Sequence, residues 1–198
     1  QPSKVPKDMM IPYGKQNITP EDIQAAVDVL HSPYLTQGPT VPLFEQKLSQ
    51  KVTAKFAVAV NSATSALHLA VKALGLGPDD ILWTSPISFV ASANCALYCG
   101  ASIDFVDIDP VNFNICPNAL EKKLKKADAK GALPKIVVAV HMAGQSADME
   151  EIRVLSHKYN FKIIEEASHA IGGIYQNYKI GSCKFSDGIG IFTLNEEL

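Results

Sequence analysis

The sequence predicts an α/β fold: a mostly parallel sheet with helices on both faces. Short apolar strands alternate with amphipathic helices from Phe56 onward, the order in which parallel sheets are wound. Runs such as Ile136-Val137-Val138-Ala139-Val140 are apolar without alternation, as expected of strands buried on both faces. No internal repeat, low-complexity tract or linker interrupts the pattern, so residues 1–198 read as one domain.

Taken in order, Thr19-Pro20-Glu21-Asp22 opens the first helix. Thr caps, Pro takes the first helical position, and the acids meet the positive helix end. Ile23, Ala26, Val27 and Leu30 recur at helical spacing before Pro33 ends the pattern. Gln37-Gly38-Pro39 marks a loop, and Val41 to Val52 reads as a second amphipathic helix. Strands are expected at Phe56–Val60, Ile81–Thr84, Ile103–Val106, Ile136–Val140, Phe161–Ile164 and Ile189–Thr193. Helices are expected at Ser65–Leu74, Phe89–Cys99, Pro117–Lys126 and Asp148–Tyr159.

Composition narrows the function classes. The chain has 198 residues, of which 47% are hydrophobic and 19% charged, enough for a sizeable core. A net charge of −2 gives no general reason to bind nucleic acid or an anionic membrane, and the basic run Glu121 to Lys126 reads as the solvated face of a helix. Cys95, Cys99, Cys116 and Cys183 lack any paired C-x-x-C spacing, so neither a zinc site nor a disulfide framework is indicated, and a reduced cytoplasm is expected. No apolar stretch approaches the roughly 20 residues of a membrane helix, and Gln1-Pro2-Ser3-Lys4 is no secretory signal. The missing initiator Met reads as an excerpt or a processed product.

Candidate chemistry collects at strand ends, where open α/β sheets bind ligands. Asn61-Ser62-Ala63-Thr64-Ser65 follows the first expected strand and starts a helix, whose free N–H groups and dipole suit an anion. There is no P-loop lysine and no G-x-G-x-x-G, which leaves nucleoside triphosphatases and dinucleotide binders unsupported. Phe89, after the next strand, offers a flat face to a planar ring or serves as a core aromatic. His68, inside a helix, reads as structural, and His141 ends another strand. Glu165 and Glu166 end an apolar strand, a costly placement unless something positive meets one of them. A protonated pyridine nitrogen would satisfy Glu166, and His169 could hydrogen-bond a phenolic oxygen on the same ring, although a plain surface acid pair remains the alternative.

In order along the chain, these segments resemble the DegT/DnrJ/EryC1/StrS family of sugar aminotransferases. Leu35-Thr36-Gln37-Gly38-Pro39 with Phe44-Glu45 resembles its T-x-G-P…F-E entry, and Asn61 to Leu69 its S-G-T-A-A-L-H-L turn. Thr84 to Asn94 resembles T-T-P-x-T-F-V-A-T-A-N, and Phe105 to Asp109 matches F-V-D-I-D. Val140 to Gln145 resembles V-H-x-A-G-Q, and Ile163 to Ala170 the I-E-D-A-S-H-A strand end. The likeness runs from about Ile11 to Asn195 and is greatest to the branch that aminates C4 of a UDP-linked 4-keto-6-deoxy-N-acetylhexosamine toward pseudaminic acid.

The resemblance implies the large domain of the fold-type I transferases, incomplete and without the small C-terminal domain. It implies pyridoxal 5'-phosphate as cofactor, glutamate and a UDP-sugar as substrates, and a homodimer. By position, Ala63 and Thr64 amides would hold the cofactor phosphate, Phe89 would stack on the ring, and Glu166 would face the ring nitrogen. His169 would face the phenolic oxygen, and Thr193 would stand where the family has a phosphate-binding serine. Three positions depart: Ala63 replaces a glycine, Glu166 an aspartate, and Leu198 the lysine that anchors the cofactor. An alkyl side chain can neither anchor the cofactor nor shuttle a proton. The expectation is therefore an aminotransferase fragment inactive by itself, and the alternative is a non-catalytic descendant serving as a binding or dimerisation module.

Overall fold

The structure, a computed structural model, describes residues 17–193. These fall into two units, one up to Gly38 and one from Pro39 to Thr193. In the first, α1 (Pro20–His31) begins as the sequence predicts. Thr19 Oγ1 accepts from the Asp22 N–H, and the Asp22 carboxylate accepts from the Thr19 N–H, closing a capping box.

The second unit holds α2 (Thr40–Val52), α3 (Ala63–Ala73), β1 (Ile81–Thr84), α4 (Ala91–Leu97), β2 (Ser102–Phe105) and α5 (Pro117–Asp128). It continues with β3 (Ile136–Val140), α6 (Met149–Tyr159), β4 (Lys162–Glu166), β5 (Ile174–Tyr175), β6 (Tyr178–Lys179) and β7 (Gly190–Ile191). Five strands form one sheet in the order β2-β1-β3-β4-β7, and every pair is parallel. β5 and β6 make a separate antiparallel hairpin, turned by Gln176 and Asn177, both at positive φ (46° and 67°). That hairpin escapes sequence reading because its turn lacks the glycine that usually announces one.

Strand alternation sorts the core into two layers. Trp83, Val137, Ala139 and Ile163 face Leu120 and Leu124 of α5 and Ile152 and Leu155 of α6. Leu82, Ile136, Val138, Val140, Ile164 and Ile191 face Leu67, Ala70 and Val71 of α3 and Ala91, Cys95 and Ala96 of α4. Helices thus cover both faces, as expected. The basic run on α5 behaves as a solvated face: Leu120 and Leu124 are buried, while Glu121 pairs with Lys125 at 3.0 Å and with Lys158 at 3.3 Å.

One expected strand is corrected. Phe56–Val60 forms no strand and pairs with none among the described residues, and Phe56 and Val58 are 76% and 77% exposed. Alternating apolar residues suit a strand, but a strand exists only where its backbone groups find a ladder. Here the Ala59 N–H is instead taken by Glu45 Oε1 of α2, at 2.8 Å. At the β2 edge of the sheet, the Phe105 N–H donates to Asp104 Oδ1 (2.8 Å) and the Phe105 carbonyl accepts from Lys123 Nζ (2.5 Å). Lys123 also pairs with Asp104 and lies over the Trp83 ring.

β4 carries the residues of interest, and its anchor is Ile164, fully buried between the sheet and α3/α4. Ile164→Ala should lower unfolding stability by about 2–5 kcal/mol, measured as a reduced urea midpoint with an unchanged slope.

Candidate cofactor site

The direction of α3 follows from its exit. After the helix, the Gly75 carbonyl and Asp80 Oδ2 both accept from Lys135 Nζ (2.5 and 2.8 Å), and the Lys135 N–H bonds the Ile81 carbonyl. The C-terminus of α3 therefore lies at the edge where β1 and β3 begin. Eleven helical residues rise about 16 Å, close to the length of a five-residue strand at roughly 3.3 Å per residue. The start of α3 consequently stands over the edge where the strands end.

At that start, Ser62 Oγ accepts from the Ser65 N–H at 3.2 Å, and the Ser62 carbonyl accepts from the Ala66 N–H. Asn61 Oδ1 receives the Ser65 hydroxyl at 2.7 Å. The side chains thus cap one another, while the N–H groups of Ala63 and Thr64 have no acceptor among the described residues. Ala63 is ordinary right-handed helix, so the alanine costs no backbone strain where the resemblance has glycine.

The same pleat that sorts the core separates the two glutamates. Glu165 follows Ile163 onto the α5/α6 face and is 4% exposed. His141 Nδ1 accepts from the Ala147 N–H at 3.0 Å, which leaves Nε2 to donate to Glu165 Oε2 at 3.4 Å. The Gly181 N–H also reaches Glu165 Oε2, at 3.2 Å. The positive φ of Gly181 (79°) and the Phe192 ring packed over it leave no room for a Cβ. Gly144, at φ +85°, is held as tightly, since a Cβ there would lie 2.8 Å from the His169 carbonyl. Burial, with the Glu165 charge beside it, pushes the Cys183 thiol up to about 11.

Glu166 follows Ile164 onto the α3/α4 face and is half-buried. Its Oε1 accepts both the N–H of Ser168, at 3.0 Å, and the Ser168 hydroxyl. Ser168 Oγ in turn accepts from Thr193 Oγ1, at 2.9 Å. Glu166 Oε2 accepts nothing from the described residues.

Of the expected site residues, Glu166 and Thr193 are therefore joined through Ser168. Ala63 and Thr64 stand on the same sheet face and at the same edge. Phe89 lies in the loop between β1 and α4 with 73% of its surface exposed, so it is no core aromatic. His169 is exposed on the turn after β4, and its ring makes no hydrogen bond among the described residues. Leu198 lies outside the described residues. Sequence reasoning missed the His141–Glu165 pair and the part of Ser168. The signal for Ser168 was an acid followed two residues later by a hydroxyl, a pattern common to turns of every kind. It also missed Asn114, 1% exposed, which ties the 141–145 turn down by accepting from the Met142 N–H and donating to the Gln145 carbonyl.

A parallel sheet with free helix-start amides and an open carboxylate at its C-terminal edge defines an anion- and cation-receptive site of the doubly wound α/β class. Residues 16–192 match the model of the DegT/DnrJ/EryC1/StrS aminotransferase family, and the chain belongs to that family. It is 42% identical over 173 residues to a UDP-4-amino-4,6-dideoxy-N-acetyl-beta-L-altrosamine transaminase of Campylobacter jejuni, covering 87% of this chain and 44% of that protein. Its structure resembles Helicobacter pylori PseC, an aminotransferase involved in pseudoaminic acid biosynthesis (TM-score 0.79, 36% identity, 86% of this chain and 44% of the other). It also resembles a sugar aminotransferase of Streptococcus pneumoniae in its pyridoxal-phosphate form (TM-score 0.77, 27% identity, 89% and 47%). The chain spans less than half the length of these relatives. Family members are pyridoxal-phosphate-dependent aminotransferases. Among the described residues no helix is long and apolar enough to cross a membrane, and no cluster of His, Cys, Asp and Glu could hold a metal.

The buried pair offers a direct check. His141→Ala should cost about 3 kcal/mol, because it strips a partner from a buried carboxylate. Chemical denaturation of the variant beside the parent protein measures the loss.

Proposed function

We propose that the chain is the cofactor-holding part of a nucleotide-sugar aminotransferase. The reaction would transfer an amino group from glutamate to C4 of a UDP-linked 4-keto-6-deoxy-N-acetylhexosamine, on the way to pseudaminic acid. The observation that carries this reading is the open Glu166 Oε2 on the sheet face and edge that also hold the free Ala63 and Thr64 amides. The names of the relatives support the choice of substrate.

The donor set fits pyridoxal 5'-phosphate. Two unengaged N–H groups at a helix start suit a phosphate dianion, and an open carboxylate oxygen suits a protonated ring nitrogen. The exposed Phe89 ring provides a face for stacking, and His169 a partner for the phenolic oxygen. When bound, the cofactor supplies an electron sink for carbanion chemistry. The protein's own part is to keep the ring cationic through Glu166 and to hold the phosphate with Ala63 and Thr64. Thr193 stands where the resemblance places a further phosphate contact.

Leucine at position 198 supplies no amine, so we propose that binding by this chain is reversible and that it completes no transfer. That same residue favours a second reading, a binding or dimerisation module of the same fold. Absorbance titration with pyridoxal 5'-phosphate should give saturable binding that Glu166→Gln weakens roughly tenfold. Borohydride reduction should trap no stoichiometric adduct in the site. Amino-sugar formation by the 198-residue chain from glutamate and the UDP-4-ketosugar, seen by mass spectrometry, would refute the inactivity.

Self-association is part of the proposal, along with a cytoplasmic location. Leu69 of α3, Leu97 of α4 and Tyr98 are each more than half exposed, and Phe89 and Val90 lie in the loop before α4. Light scattering at micromolar concentration should report a mass above the 21.4 kDa of one chain. A clean monomer would contradict the homodimer.

A further inference from the structure

We infer that Ser168, fixed by Thr193, is a positioning residue that turns Glu166 toward the cofactor ring. The inference rests on the cofactor reading above and deepens it.

Proton bookkeeping fixes the direction of the chain. An ionised carboxylate only accepts, so Ser168 must give its single hydroxyl proton to Glu166 Oε1. Its oxygen is then free to accept, and Thr193 Oγ1 donates to it at 2.9 Å. Thr193 has one hydroxyl proton as well. The end of β7 and the end of β4 are thereby stitched together through side chains, beyond the last backbone bond from the Ala167 N–H to the Ile191 carbonyl.

The consequence for Glu166 is geometric. A glutamate has three rotatable side-chain bonds, and a carboxylate free to sample them presents a poor partner to a ligand, since ordering it on binding costs affinity. Here Oε1 is held twice by one residue, through the N–H at 3.0 Å and the hydroxyl, and Oε2 is left as the unengaged oxygen. The longer acid is thus folded back over its own turn and arrives pre-oriented on the α3/α4 face. Without the Ser168 hydroxyl a single backbone bond would hold it.

The test is a double-mutant cycle read as dissociation constants, with two probes: pyridoxal 5'-phosphate and its 1-deaza analogue, which keeps the phosphate but lacks the ring nitrogen. Ser168→Ala should weaken pyridoxal 5'-phosphate roughly tenfold, and Ser168→Thr should restore it. In a Glu166→Gln background the same alanine should add less than about twofold, because Ser168 acts only through Glu166. Ser168→Ala should not change binding of the deaza analogue by more than about twofold. Thr193→Val should weaken the parent cofactor severalfold. Equal losses of both probes in Ser168→Ala, or an undiminished Ser168 effect in the Glu166→Gln background, would overturn the positioning role while leaving the cofactor reading intact. Binding of pyridoxal 5'-phosphate that is indifferent to Glu166→Gln would overturn both.

Discussion

Adjacent carboxylates at the end of a buried strand are an electrostatic problem, and the pleat of β4 solves it by sending them to opposite faces. Glu165 goes into the α5/α6 layer, where it is paid for by the His141 ring and the Gly181 amide, both on one oxygen. His141 is available because Ala147 takes its other nitrogen, and Gly181 because its backbone adopts a conformation that leaves no room for a side chain. This buried junction joins the end of β3, the end of β4 and the loop that leads to β7. The position of Glu166 on the opposite face, and of Ser168 and Thr193 beside it, depends on that junction holding.

The second half of the site has an independent origin. α3 runs antiparallel to the strands because Lys135 and Asp80 fasten its exit to the edge where β1 and β3 begin. Its start is thereby carried to the opposite edge, and the knot of Asn61, Ser62 and Ser65 satisfies the side chains while leaving two amides free. A helix start and a strand end from distant parts of the sequence meet on one face because both obey the same topology.

How much of this was legible in the sequence varies with the physics behind each element. β3 was read residue for residue, because five apolar residues buried on both faces leave little else for Ile136–Val140 to be. Phe56–Val60 was misread because propensity describes a side chain's fit to a sheet, whereas pairing depends on a neighbouring backbone that no local pattern reveals. The β5–β6 hairpin was missed for want of a glycine. In the site, Ala63, Thr64 and Glu166 came from a motif order that strand ends make recognisable. Ser168 did not, since its importance lies in a bond to the preceding strand and a bond from Thr193, 25 residues away.

The two edges of the sheet are not equivalent. Along β2, the outward N–H and carbonyl of Phe105 are already committed to Asp104 and Lys123, whereas β7 contributes only two paired residues. Among the described residues, an incoming strand would thus find Phe105 already committed at one edge and a two-residue ladder at the other, so neither edge offers a long template for pairing.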